Sequence, residues 1–322
     1  MKFLVLGGTK FLGRAIVEAA LARGHEVTLF NRGKTNPELF PQAETVHGDR
    51  AVDPIPVGHW DAAIDTSGHV PAIVRRSAEA LYDSIEQYLF VSSMSAYADF
   101  STRPSEETRR AQLAEGQPVD ELLPDYSNYG ALKALCEDVV ADVYGEGSLI
   151  VRPGLIVGPH DPTGRFTYWP HRIAHGGEFI APAPPENTVQ FVDARDLGAW
   201  LLELADRRVS GTFNATHPGV PWREFVETAI RVTGSAAEPV WIPGAWLAEQ
   251  DVGQWMELPM WIHDPEWLGL MDADVDRALE AGLSFRALEE TIVGALEHAE
   301  TTDDAGMKPE RERELIEAWR RG

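Results

Sequence analysis

Between Lys2 and Phe30 the chain passes through an apolar run, the turn Gly7-Gly8, an amphipathic stretch from Phe11 to Arg23, and a second apolar run from Val27 to Phe30. That succession is a βαβ unit, and it commits the N-terminal part of the chain to parallel strands joined by a helix. The segment Leu4-Val5-Leu6-Gly7-Gly8-Thr9-Lys10-Phe11-Leu12-Gly13 ends a strand and opens a helix. There the backbone N–H groups and the helix dipole can receive the pyrophosphate of a dinucleotide, and side chains at the turn would block its approach.

Further short apolar runs follow at Glu44 to His47, Ala62 to Asp65, Tyr88 to Val91 and Leu149 to Val151, each separated by polar or helical sequence. The expected fold class is therefore α/β, a Rossmann-type doubly wound parallel sheet with helices on both faces. After Arg152 the texture changes: prolines and glycines crowd Pro153 to Pro185, and tryptophans gather from Trp222 to Trp267. Residues 1–152 are expected to form the NAD(P)-binding domain. Residues 153–322 are expected to be mainly a smaller mixed α/β substrate region, with some segments returning to the sheet. Its helix candidates are Asp196 to Asp206, Trp222 to Thr233, Asp274 to Ala281, Arg286 to His298 and Pro309 to Arg321; strand candidates are Val189 to Val192 and Thr212 to Asn214.

Of the 322 residues, 51 are acidic and 28 basic, for a formal charge of -23. A surface of that sign repels phosphate backbones and anionic lipid, so neither nucleic acid nor membrane is expected as a partner. The single cysteine, Cys136, excludes a disulfide framework and a Cys-rich metal site. Met1 to Leu6 reads as a buried strand rather than a signal peptide, and no apolar run approaches a membrane span, so a cytoplasmic location is expected. His160, His171 and His175 lack acidic or cysteine partners at ligand spacing, and no metal is expected.

Two features point to chemistry. Tyr129 and Lys133 stand four residues apart at the start of an amphipathic stretch, Tyr129 to Tyr144, so on a helix they share a face. A nearby cation favours phenolate and draws a tyrosine toward a useful pKa. The second strand ends Phe30-Asn31-Arg32, without the carboxylate that grips a ribose 2′-hydroxyl in NAD-selective sites; Arg32 can pair with a phosphate instead. Arg165, in a Gly/Pro loop, could clamp an anionic group, with Tyr168 and Trp169 beside it.

The glycine spacing, the Tyr129/Lys133 pair and the run Phe90-Val91-Ser92-Ser93-Met94-Ser95-Ala96-Tyr97 together resemble the extended short-chain dehydrogenase/reductase superfamily, in an atypical, reductase-like subgroup of the NAD-dependent epimerase/dehydratase family. Lys10 stands at the middle position of its Gly-x-x-Gly-x-x-Gly pattern, near where a 2′-phosphate would lie. With Arg32 this favours NADP(H), with NAD(H) as the alternative. The resemblance implies that Ser93, Tyr129 and Lys133 are catalytic: Tyr129 as acid or base at the substrate oxygen, Ser93 bonded to that oxygen, Lys133 acting on Tyr129 and the nicotinamide ribose. It implies cofactor contacts at Asp49, grouped with Arg50, at Thr66, Ser67 and Gly68, and at Pro153 and Leu155. Gln190 falls in the segment that lies beside the substrate in the family. The sugar-nucleotide dehydratases carry an Asp-Glu pair where this chain has Met94-Ser95, which argues against dehydration.

The expected function is an NADP(H)-dependent reduction of a carbonyl on a small-molecule substrate. An NAD-dependent sugar epimerase is the alternative, and a non-catalytic NADP(H)-binding regulator is the alternative of another class. Related chains tend to pair through the Tyr/Lys helix, which leaves a monomer and a homodimer both open.

Overall fold

The computed structural model describes residues 1–299 and 305–322. The N-terminal half alternates β1 (Lys2–Leu6), α1 (Phe11–Ala22), β2 (Glu26–Asn31), β3 (Glu44–His47), β4 (Ala62–Asp65), α2 (Pro71–Leu81), β5 (Gln87–Val91), α3 (Tyr129–Tyr144) and β6 (Ser148–Pro153). It continues into β7 (Leu155–Val157), α4 (Tyr168–Ala174), β8 (Gly177–Ala183), β9 (Thr188–Val189), β10 (Phe191–Asp193), α5 (Ala194–Asp206) and β11 (Gly211–Ala215). Then come β12 (Val220–Pro221), α6 (Trp222–Thr233), β13 (Ala237–Pro243), α7 (Gly244–Glu249), β14 (Gln254–Trp255), β15 (Leu258–Pro259), α8 (Asp276–Glu280), α9 (Leu288–Glu297) and α10 (Pro309–Arg321).

A seven-stranded sheet in the order β11-β6-β5-β4-β1-β2-β3 forms the centre, and every neighbouring pair is parallel. The order reverses between β1 and β4, and at such a switch point the strand ends open a crevice for a ligand. Strand alternation divides the core between two faces. Phe3 and Val5 of β1, with Leu89 and Val91 of β5, join the layer under α1 and α5. Leu4 and Leu6, with Tyr88 and Phe90, join the layer under α2 and α3.

The strand expected at Thr212 to Asn214 returns to the sheet as β11, and α5 packs along α1. The strand expected at Val189 to Val192 is split at Gln190: β9 pairs antiparallel with β12, while β10 pairs parallel with β7. A separate apolar core gathers Phe166, Trp169, Phe179, Phe191, Trp222 and Phe225 with parts of α6, α9 and α10. Its longest strand pair joins β8, in the Pro/Gly-rich stretch, to β13, in the tryptophan-bearing one, and neither is read as a strand from the sequence. Among the described residues, no helix is long and apolar enough to cross a membrane.

Candidate active site

The turn after β1 depends on its glycines. Gly7 and Gly8 hold φ of 115° and 96°, and a Cβ on Gly7 would lie 2.7 Å from Thr66 Oγ1. The amide of Asn31 donates to the Gly7 carbonyl at 3.1 Å and its oxygen accepts from Gly33 N at 2.9 Å, so the end of β2 pins the turn. Asn36 donates to the Thr9 carbonyl at 3.0 Å. Lys10 precedes α1 in extended conformation without a side-chain cap, and Phe11 opens the helix at a positive φ of 43°. The N-terminal N–H groups of α1 therefore face the crevice without a side-chain acceptor, as a pyrophosphate site requires. Leu12 and Gly13 are buried in the first turn.

Lys10 and Arg32 are both exposed and make no ion pair or side-chain hydrogen bond among the described residues. Thr66 and Ser67 both donate to the Leu6 carbonyl at 3.1 Å, which closes the ends of β4 and β1 together. Asp49 caps its own turn by accepting from Ala51 N at 3.0 Å. Arg50 turns inward: its guanidinium grips both oxygens of buried Asp65 at 2.6 and 2.7 Å and bonds Ser67 and Ser77, while the Tyr88 hydroxyl donates to Asp65 at 2.8 Å. Burial opposes the charge on Asp65, but Arg50 holds its carboxyl below the usual carboxylate range. Arg50 thus braces the floor of the crevice.

Ser93 follows β5 and caps a 3-10 turn, Met94–Ala96, by accepting from Ser95 N at 3.1 Å. The start of α3 presses on this turn, where a Cβ on Gly130 would come within 2.0 Å of the Ser95 carbonyl. That contact brings Tyr129 to Ser93. Burial raises the Tyr129 phenol above its ordinary pKa, and the hydrogen bond with Ser93 works in the opposite direction. Lys133 is fully buried; its ammonium donates to the carbonyls of Gly68 at 2.8 Å and Val91 at 2.7 Å and lies 4.2 Å from the centre of the Phe90 ring. Burial pushes it down to about 8.

Beneath the serine turn, Arg152 holds Glu137 through two hydrogen bonds of 2.9 and 2.6 Å, and Ser92 donates to the same carboxylate at 2.5 Å. Tyr97 accepts from Arg152 at 3.0 Å and donates to Asn214 at 2.6 Å. This buried network ties β5, α3, β6 and β11 together under Ser93.

The remaining sequence candidates are placed elsewhere in the fold. Pro153 and Leu155 are buried at the end of β6 and the start of β7. Gln190 is consumed by the backbone: its amide donates to the carbonyls of Pro218 and Ala273 and its oxygen accepts from Ala273 N. Tyr168 packs edge-on against Trp169, and its ring lies close under Gly306. Arg165 donates no side-chain hydrogen bond among the described residues and lies over the Trp255 indole at 4.6 Å. Among the described residues, no group of three or more His, Cys, Asp or Glu is placed to hold a metal.

Sequence reasoning did not single out His69. It directly follows Thr66-Ser67-Gly68 at the end of β4, and its ring lies 6.1 Å from that of Tyr129. Part of the residue faces solvent, yet burial of the ring and the charge of Lys133 push its imidazole down to about 4, leaving it neutral at pH 7. Its place at a strand's carboxyl end was the available signal.

Residues 59–215 match the model of the NAD dependent epimerase/dehydratase family. The chain is 28% identical over 311 residues to 2'-dehydrokanamycin reductase of Streptomyces kanamyceticus, covering 90% of this chain and 83% of that protein. It is 33% identical over 177 residues to 2-alkyl-3-oxoalkanoate reductase of Stenotrophomonas maltophilia (strain K279a), covering 50% and 52%. The fold matches that of UDP-glucuronic acid 4-epimerase from Bacillus cereus, solved in complex with NAD, at a TM-score of 0.62 and 13% identity over 92% of this chain and 98% of that one. With a seven-stranded parallel sheet, a glycine turn at its switch point and these relatives, the chain is similar to the NAD dependent epimerase/dehydratase family over residues 59–215 and is an enzyme of the oxidoreductase or epimerase kind.

Proposed function

We propose that this chain is an NADP(H)-dependent reductase that converts a ketone on a small molecule to an alcohol. The observation that carries this reading is the close approach of the start of α3, which bears Tyr129, to the turn capped by Ser93 at the carboxyl end of the sheet, where a Cβ on Gly130 would come within 2.0 Å of the Ser95 carbonyl. Both curated relatives reported above bear the name reductase, which supports the direction. Residues 1–152, with α5 and β11, form the cofactor side in this reading, and the rest of 153–322 forms the substrate side.

The turn fits a dinucleotide because Gly7 and Gly8 leave its inner surface bare and the first turn of α1 has no side-chain cap. Gly7 to Gly13 would hold the pyrophosphate, and Lys10 and Arg32 a 2′-phosphate that no carboxylate at the carboxyl end of β2 opposes. A bound reduced nicotinamide supplies the hydride. The chain's own part is to place and protonate the substrate oxygen. Ser93 donates a hydrogen bond to that oxygen, and Tyr129, neutral because burial raises its pKa, delivers its proton as charge gathers there. Lys133 acts from beneath, joining Gly68 of the β4 end to Val91 of the β5 end and so fixing both sides of the crevice.

The test is NADPH oxidation over a panel of ketones, with cofactor binding followed by nicotinamide fluorescence. NADPH is expected to bind more tightly than NADH, and Tyr129→Phe is expected to lose about 10²–10⁴-fold in kcat while binding NADPH as the parent does. Equal turnover by the two proteins removes Tyr129 from the mechanism. NAD retained through purification favours an epimerase instead.

A further inference from the structure

Arg165 stands out among the arginines. Its Nε is buried with no hydrogen-bond partner among the described residues, and its guanidinium donates no bond to any of them. Asp161 is the carboxylate whose charge reaches it, yet burial outweighs that charge and lowers the guanidinium below its ordinary value. By contrast, the buried guanidinium of Arg152 is gripped by Glu137, and the half-buried Arg172 is gripped by Glu312. Leaving a desolvated guanidinium N–H unmade is costly, and a partner that arrives with a ligand recovers that cost.

The surroundings hold Arg165 ready for such a partner. Its guanidinium carbon lies over the Trp255 indole, 4.6 Å from the ring centre, a cation–π contact that steadies the group and uses none of its N–H donors. Trp255 itself sits at a φ of 70°, a left-handed conformation that a bulky residue adopts only where its surroundings impose it. On the other side, Phe166, the next residue, is fully buried and packs on Phe191 and Phe225, so the backbone carrying Arg165 is anchored. In sequence, Arg165 follows a segment that touches the serine turn. The chain leaves β6 at Pro153, passes Gly154, where a Cβ would lie 3.4 Å from Met94 Sδ beside the serine turn, forms β7, and enters the loop that bears Arg165.

We propose that Arg165, stacked on Trp255, is the seat for an oxyanionic group of the substrate, a carboxylate or a phosphoryl ester that presents two oxygens to the guanidinium edge. The inference rests on the reductase reading for calling the ligand a substrate, but its test needs no turnover.

The full chain, loaded with NADP⁺, is titrated calorimetrically with octanoate, octyl phosphate and octanamide, which share a tail and differ in charge. Saturable binding of octanoate or octyl phosphate, at least about tenfold tighter than octanamide, is expected. Arg165→Gln is expected to erase that difference while leaving NADPH affinity and melting temperature in place. Arg165→Lys, which keeps the charge but loses the fork, is expected to fall between the two and decides the matter should Arg165→Gln not fold. Preference for octanoate assigns a carboxylic acid substrate, and preference for octyl phosphate assigns a phosphoryl ester. Equal binding of octanamide, an unchanged preference in Arg165→Gln or Arg165→Lys, or no saturable binding of any probe overturns the proposal. Oxyanion binding through Arg165 in a protein that reduces no ketone leaves this inference standing and removes the reductase reading.

Discussion

At the scale of single residues, Lys133 is the most consequential side chain in the crevice. Its ammonium is enclosed, its acceptors are two backbone carbonyls, and burial brings it from 10.5 to about 8. Below about pH 8 both the folded and the unfolded chain hold its proton, and the full penalty of burying the charge is present. Between about 8 and 10.5 only the unfolded chain holds it, so this group's contribution to stability rises with pH, by on the order of 3 kcal/mol across the window. Lys133→Met should therefore be more stable than the parent at pH 7, with the advantage narrowing as pH rises toward 10.5. Denaturant unfolding of both proteins across that range checks it, and parallel curves would show that the ammonium carries no such penalty. The same variant should lose turnover, since the bridge from the Gly68 carbonyl to the Val91 carbonyl is then gone. Tyr129 and Lys133 were legible as a pair from their spacing; that Lys133 bonds Gly68 and Val91 was not, because those acceptors come from distant strands.

At the scale of elements, the site is made by one helix meeting one turn. The spacing of α3 places Tyr129 on a defined face, but only the close approach at Gly130 brings that face to Ser93. A methyl group at Gly130 collides with the Ser95 carbonyl, which is backbone and cannot swing aside, so the start of α3 must move outward. Gly130→Ala should lower kcat by about 10²-fold with little change in NADPH affinity, because displacements near 1 Å carry costs of that size. Overpacking should also cost about 1–3 kcal/mol of stability. Steady-state kinetics and a melting curve test both; an unchanged kcat would mean that Ser93 and Tyr129 need no such proximity. Elements with strong periodicity, such as α6 and α10, follow their sequence bounds closely. The run at Val189 to Val192 does not, since Gln190 turns inward to bond Pro218 and Ala273 and sends the two halves to different partners. Local pattern carries no record of those partners.

At the scale of the whole molecule, the formal charge of -23 sets an acidic surface against Lys10 and Arg32, exposed cations without an ion pair among the described residues, which form the receiving edge in the proposed reading. A single dinucleotide can meet that edge; a phosphate backbone must also cross the acidic remainder. A stem-loop RNA should therefore show no mobility shift with this protein at physiological ionic strength, and a shift that vanishes with added salt would reveal a basic path that the overall balance conceals. The succession of strands and helices along the chain, the glycine turn and the charge are properties of sequence alone, because periodicity, the steric freedom of glycine and ion counting act over a few neighbouring residues or over none. Tertiary structure decided what each candidate side chain does. It folded Arg50 onto Asp65, spent Gln190 on backbone, set His69 beside Tyr129 and left the Arg165 Nε–H without a partner among the described residues, since hydrogen-bond partners and desolvation are supplied by residues that meet only when the chain has packed.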